Sequence, residues 1–107
     1  MISICYTMKI RIHESAAKEL DEAIEWYEMQ SCGLGQRFKK AVADQIGKIR
    51  KNPNWFLIES GEIYKAYIPR FPYKILYTTE NESLVVWAIA HMHRKPCFWQ
   101  GRRGIGC

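Results

Sequence analysis

Polar and apolar residues alternate from Tyr6 to His13: in YTMKIRIH, Met8, Ile10 and Ile12 oppose Lys9, Arg11 and His13. A period of two belongs to a strand with one buried face, so the segment predicts a first strand. The period then changes. Ala16, Ala17, Leu20, Ala23, Ile24 and Tyr27 recur at helical spacing, Ser15 offers an N-cap, and acidic residues fill the turns that follow. This predicts an amphipathic helix to about Met29. Two glycines in SCGLG (31–35) break the pattern, after which Leu34, Phe38, Ala41, Val42, Ile46 and Ile49 fall on one stripe. The second helix ends before Pro53, which restricts Asn52. So short a link between helices implies an antiparallel hairpin.

Three later runs, IYKAYI (63–68), YKILYT (73–78) and LVVWAIAH (84–91), are rich in β-branched and aromatic residues and predict strands. Their links, PRFP and TENES, are too short for a parallel return, so the strands form an antiparallel meander. The third run is apolar on both faces and reads as the central strand. The order is an α+β layout: an N-terminal strand, a helical hairpin, then the meander, with the helices packed on one face of the sheet. One domain is expected over 8–102. Residues 1–7 read as a short extension, Met8 being a natural alternative start, and 103–107 as a frayed tail.

Composition narrows the partners more than the fold. A chain of 107 residues that is 48% hydrophobic supports one core. The formal charge of +5 points to an anionic partner, a nucleic acid or an acidic protein. Cys5, Cys32, Cys97 and Cys107 are scattered with no close pair, so reduced, non-ligating thiols are expected. No apolar run approaches the ~20 residues of a membrane span, and MISICYT lacks the parts of a secretory signal, so a cytoplasmic protein is expected. The first helix is acidic (Glu14, Glu19, Asp21, Glu22, Glu25, Glu28) and the second basic (Arg37, Lys39, Lys40, Lys48, Arg50, Lys51). Exposed pairs between them would each contribute only ~0–1 kcal/mol, which tunes the packing rather than drives it.

The hairpin followed by Arg70-Phe71-Pro72-Tyr73, Tyr77 and the spaced set His91, Arg94, Pro96 and Trp99 resembles the RelE/ParE superfamily of toxins from type II toxin–antitoxin modules. The likeness runs from Met8 to about Arg102. It implies a growth-inhibiting toxin held inactive by a cognate antitoxin, acidic and encoded beside it. RelE-like members cut messenger RNA on the ribosome; ParE-like members poison DNA gyrase and lack the nuclease residues.

Metal-independent RNA cleavage needs a base for the 2′-OH, positive charge for the phosphate and an acid for the leaving oxygen. Arg70 and His91 are the catalytic candidates if the chain is a nuclease, and Lys65, Lys74, His93 and Arg94 are candidate contacts to the target or to nucleic acid. Each has a plainer reading: Arg70 as a solvated turn residue, His91 as a hydrogen-bonded strand end, His93 and Arg94 as an exposed basic edge. His91, His93 and Cys97 read as zinc ligands lack a fourth ligand at a characteristic spacing, so no metal or other cofactor is expected. Trp87, Phe98 and Trp99 have the faces to stack on bases, yet Trp87, Tyr73 and Tyr77 read first as core. RelE-like nucleases end in a tyrosine or a histidine–tyrosine pair, whereas here Cys97-Phe98-Trp99 stands in that place and no tyrosine follows Tyr77. The resemblance therefore favours the ParE-like, plasmid-stabilisation branch and a gyrase target. The alternatives are a ribosome-dependent endoribonuclease and a non-catalytic module that binds nucleic acid or antitoxin.

Overall fold

The computed structural model describes residues 9–80 and 82–92. Strand β1 (Lys9–Ile12) leads into helices α1 (Glu14–Gln30) and α2 (Leu34–Lys51). A 3-10 turn (Pro53–Trp55) follows, and then strands β2 (Leu57–Ser60), β3 (Ile63–Tyr67), β4 (Tyr73–Glu80) and β5 (Ser83–His91). The sheet order is β1-β5-β4-β3-β2, with β1 parallel to β5 and every other pair antiparallel. The helical hairpin is thus the crossover that lets β1 lie parallel to the last strand.

Four expectations need correction. The cap of α1 is His13, not Ser15: the His13 ring Nδ1 accepts a 3.1 Å bond from the Ser15 backbone N–H. The meander has four strands rather than three, because β2 was invisible in the sequence. Its residues LIES do not alternate, and as a four-residue edge strand pairing only with β3 it leaves Leu57 and Ile58 exposed. The central strand is β4, with β5 one place outward. Both are interior, so both lack a polar face; an apolar run shows that a strand has two neighbours, not which place it holds. Finally, the ion pairs among the described residues, Lys74–Glu59 and Lys65–Glu59, lie in the sheet and not across the hairpin.

The hairpin is closed by backbone chemistry. Glu28 accepts bonds from the N–H groups of Gly33 (2.9 Å) and Gly35 (3.0 Å), supplying a carboxylate to the open N-terminus of α2. A Cβ on Gly35 would lie 2.6 Å from the Ile24 carbonyl oxygen, so the helices approach this closely only because residue 35 has no side chain.

The main core lies between the helices and one sheet face. Tyr73, Ile75 and Tyr77 of β4 alternate inward toward Phe38, Val42, Ile46 and Ile49 of α2 and toward Tyr27 of α1. A register shift opposite Leu76 and Tyr77 makes a bulge in β5, so that Val86 and Ile89 both face the helices. The second face carries Ile63, Leu76 and Ala88 with Trp87, whose indole N–H bonds the Thr78 hydroxyl at 2.9 Å. Tyr77 is fully buried, donates to the Pro53 carbonyl at 2.6 Å and stacks on Tyr64. Burial, and then the neighbouring Tyr64, push its phenol far above the ordinary tyrosine value. β5 runs past the end of β1, and there Glu19 of α1 accepts a 3.1 Å bond from the Ile89 N–H, closing an otherwise open stretch of sheet edge. No helix among the described residues is long and apolar enough to cross a membrane.

Candidate functional site

The RFPY segment explains itself once the β3–β4 turn is built. The Phe71 N–H bonds the Ile68 carbonyl at 3.3 Å, Pro69 occupies the second position, and Arg70, in the third, has φ of 71°. Proline followed by a positive φ defines a type II turn, a geometry that normally takes glycine or asparagine in the third place. The turn is held from both sides. Phe71 packs edge-on against Tyr27 and Phe38, with centroids 5.0 Å away in each case. Tyr73 joins the same aromatic cluster, and its phenol, like that of Tyr27, is raised above the ordinary value first by burial. Arg70 is therefore presented on a strained, anchored turn with its side chain exposed.

Beside it runs a groove of 460 Å³ between α2 and the turn. Arg70 shares its rim with Arg37, Lys40 and Lys48 of α2, against one carboxylate, Asp44; Leu34, Ala41 and Phe71 supply the apolar floor. Gln45 ties the two walls together through a 2.8 Å bond from its amide to the Tyr67 carbonyl.

Lys65 and Lys74 lie on the opposite sheet face, since they alternate with the helix-facing Ala66 and Ile75. Glu59 of β2 holds both, at 3.6 Å from Lys65 and 3.2 Å from Lys74. The Lys74 side chain is only 8% exposed, so its ammonium is committed to this pair. Lys65 also lies 5.8 Å from the Tyr67 ring centroid. His91 closes β5, exposed, with its ring 5.7 Å from Tyr73 and edge-on to it. A shallow notch adjoins it, lined by Trp26, Tyr73 and Ile89 together with Glu19 and Glu22.

The sequence-predicted residues thus fall in three places: Arg70 on the α2 groove, Lys65 and Lys74 on Glu59, and His91 at the strand end. His93, Arg94, Cys97, Phe98 and Trp99 lie outside the described residues, as do the expected extension and tail. Among the described residues no cluster of histidine, cysteine and carboxylate side chains is arranged to hold a metal. Sequence reasoning missed the basic wall of α2, having read those charges only as exposed partners of the acidic first helix. A usable signal was present: Leu34, Arg37, Ala41, Asp44 and Lys48 recur at three- and four-residue steps, one continuous stripe of the helix.

Comparison with known proteins bears on this arrangement. Curated protein sequences give no match. Among solved structures, a chain described as belonging to the chromosomal ParDE TA system from P. aeruginosa superposes with a TM-score of 0.67. The overlap covers 80% of this chain and 97% of that one at 14% identity, which establishes a common fold. Residues 10–96 match the family model of the ParE toxin of the type II toxin–antitoxin system parDE. That match takes in β1 from Ile10, the helical hairpin, the Arg70 turn and strands β2 to β5, and with it the chain belongs to the ParE toxin family.

Proposed function

We propose that this ParE-family toxin arrests growth by poisoning DNA gyrase and is neutralised by a cognate acidic antitoxin in the cytoplasm. The observation that carries the choice of target is the Glu59 cluster. A ribonuclease of the RelE-like kind requires accessible positive charge converging on a phosphate. Here two of the candidate lysines are spent on one carboxylate, one of them nearly buried, while Arg70 faces a different surface. This dispersal supports a toxin that works by protein contact rather than by phosphodiester cleavage. Exposed Trp26 and Met29 on α1, and Trp55, Leu57 and Ile58 at the β2 edge, are apolar contact residues of the kind such a mode uses.

Controlled expression in a bacterial host with no antitoxin tests the proposal. Growth arrest with signs of DNA damage is expected, relieved by co-expression of the adjacent small reading frame. Normal growth at confirmed soluble expression contradicts it. Arg70→Ala and His91→Ala separate the branches: loss of toxicity with loss of message cleavage would support the nuclease reading, whereas cleavage absent from the parent protein excludes it.

A further inference from the structure

The end of β5 delivers the chain to the notch between α1 and the sheet. This notch holds 290 Å³ and is lined by Ala23, Trp26, Tyr73 and Ile89 together with the carboxylates of Glu19 and Glu22. That is just under the roughly 300–1,000 Å³ of a small-molecule site, so it has room for a side chain or two rather than for a ligand of that size. Its lining carries two acidic groups and no basic one. Glu19 is half-buried, and its carboxylate is fixed beside the strand by the 3.1 Å bond that it accepts from the Ile89 N–H. Glu22, Glu25, Trp26 and Met29 extend the feature as an exposed stripe at three- and four-residue steps of α1. Trp26 is 55% exposed and Met29 76%. Among the described residues Glu22 and Glu25 make no ion pair. An aromatic face beside carboxylates is a seat for a guanidinium, which stacks on the ring while its fork meets the acids.

The chain's own continuation has the complementary composition and starts in the right place. Tyr73 lines the notch and pairs in register with His91, whose ring lies 5.7 Å from its own. One residue on, the Met92 N–H still bonds the Pro72 carbonyl at 2.9 Å. The backbone is thus held beside the notch up to the residue before His93. From there the sequence HRKPCFWQGRRGIGC carries four cations, Arg94, Lys95, Arg102 and Arg103, and no acidic side chain. At no more than ~3.6 Å per residue, Arg94 lies within roughly 11 Å of the His91 backbone, and its own long side chain adds to that reach. A segment tethered so closely meets the notch at a high effective concentration, which a separate basic partner would have to outcompete.

We infer that segment 93–99 straps back over α1, with the Arg94 guanidinium seated in the notch against Trp26 and between Glu19 and Glu22, and with Phe98 and Trp99 covering Met29. The docking stands without the toxin reading. Only its consequence draws on that reading: the strap shields Trp26 and Met29, so a target that contacts α1 must displace it, whereas Trp55, Leu57 and Ile58 stay open.

The test is hydrogen exchange read by mass spectrometry on the whole chain and on three variants, Glu22→Arg, Arg94→Glu and the two together. Exchange over β4 verifies that each variant is folded. In the parent, amides of 93–99 are expected to exchange more slowly than in a synthetic peptide of residues 93–107, and added salt is expected to weaken that protection. Each single reversal is expected to speed the exchange by about tenfold, and the paired reversal to restore it, a rescue that mere damage to the helix surface would not give. A parent segment that exchanges like the free peptide overturns the inference, as does protection that Glu22→Arg leaves unchanged or that the paired reversal fails to restore. An unprotected segment in a chain that binds an added oligoarginine peptide through Glu22 also overturns it, and gives the notch to a separate basic partner. Exchange reads the docking whether or not the chain arrests growth, so its failure is distinct from failure of the toxin reading.

Discussion

Replacing Arg70 by glycine should make the fold more stable. Arg70 sits at φ 71°, where an L side chain costs about 1–2 kcal/mol that glycine does not incur. Against this, glycine enlarges the conformational freedom of the unfolded chain and returns about 0.4–1 kcal/mol. The net expectation is a gain of roughly 0.5–1 kcal/mol, and at about 4–8 °C per kcal/mol for a domain of this size, Tm rises by some ~2–8 °C. Removing one charge from a basic rim also relieves repulsion, so Arg70→Ala is the needed control. It deletes the same charge but keeps a Cβ in the left-handed region. Unfolding by urea and by heat, followed by circular dichroism, should place glycine above both parent and alanine, with an unchanged urea slope. If alanine matches glycine, the gain comes from charge, and the strain argument is wrong. If glycine falls below the parent, the arginine side chain holds the turn, and its exposure has been misread.

Three further outcomes follow from the packing and from the buried groups. Gly35→Ala should destabilise by about 1–3 kcal/mol despite the better helix propensity of alanine, because the new methyl meets the Ile24 carbonyl at 2.6 Å; a melt at or above the parent's would refute that close approach. Glu59→Ala strands the nearly buried Lys74 ammonium and should cost about 3–5 kcal/mol, most of it recovered in Glu59→Ala/Lys74→Met, as urea titration would report. Stability should fall as pH rises above 10.0, the ordinary tyrosine value, because Tyr27, Tyr73 and Tyr77 hold their protons more tightly folded than unfolded. The unfolded chain then binds fewer protons, so the slope of stability against pH is negative from that point, and Tyr77→Phe should flatten it; an unaltered slope in that variant would contradict the burial of the phenol.

How much of this was legible in the chain depends on what each pattern encodes. Both helices follow from periodicity, since burial on one face imposes a period that the residues must satisfy, and strands β3, β4 and β5 follow from their β-branched and aromatic content. Strand β1 kept its alternation, but the buried face expected of it is not found, Ile10 and Ile12 being 37% and 40% exposed. Strand β2 escaped because an edge strand with little burial imposes no alternation on LIES. The cap escaped for a different reason. Ser15 has the usual cap chemistry, but the helix starts two residues earlier than that, where the His13 ring Nδ1 accepts from the Ser15 backbone N–H while the His13 backbone N–H donates to the Val86 carbonyl. At the site, Arg70-Phe71-Pro72-Tyr73 was recognisable as a motif before its physical sense was: Phe71 and Tyr73 anchor and Arg70 presents. The partnership of Lys65 and Lys74 with Glu59 was hidden, because it depends on the register of a strand that the sequence did not reveal.

The central claim is that a ParE-family chain with dispersed basic residues acts on gyrase rather than on messenger RNA. Purified protein added to DNA gyrase, ATP and relaxed plasmid measures it directly. The expected result is inhibited supercoiling with accumulation of cleaved plasmid, reversed by the antitoxin, and intact messages on translating ribosomes. Full supercoiling activity at a large excess of the protein, with ribosome-bound messages cut, would contradict it.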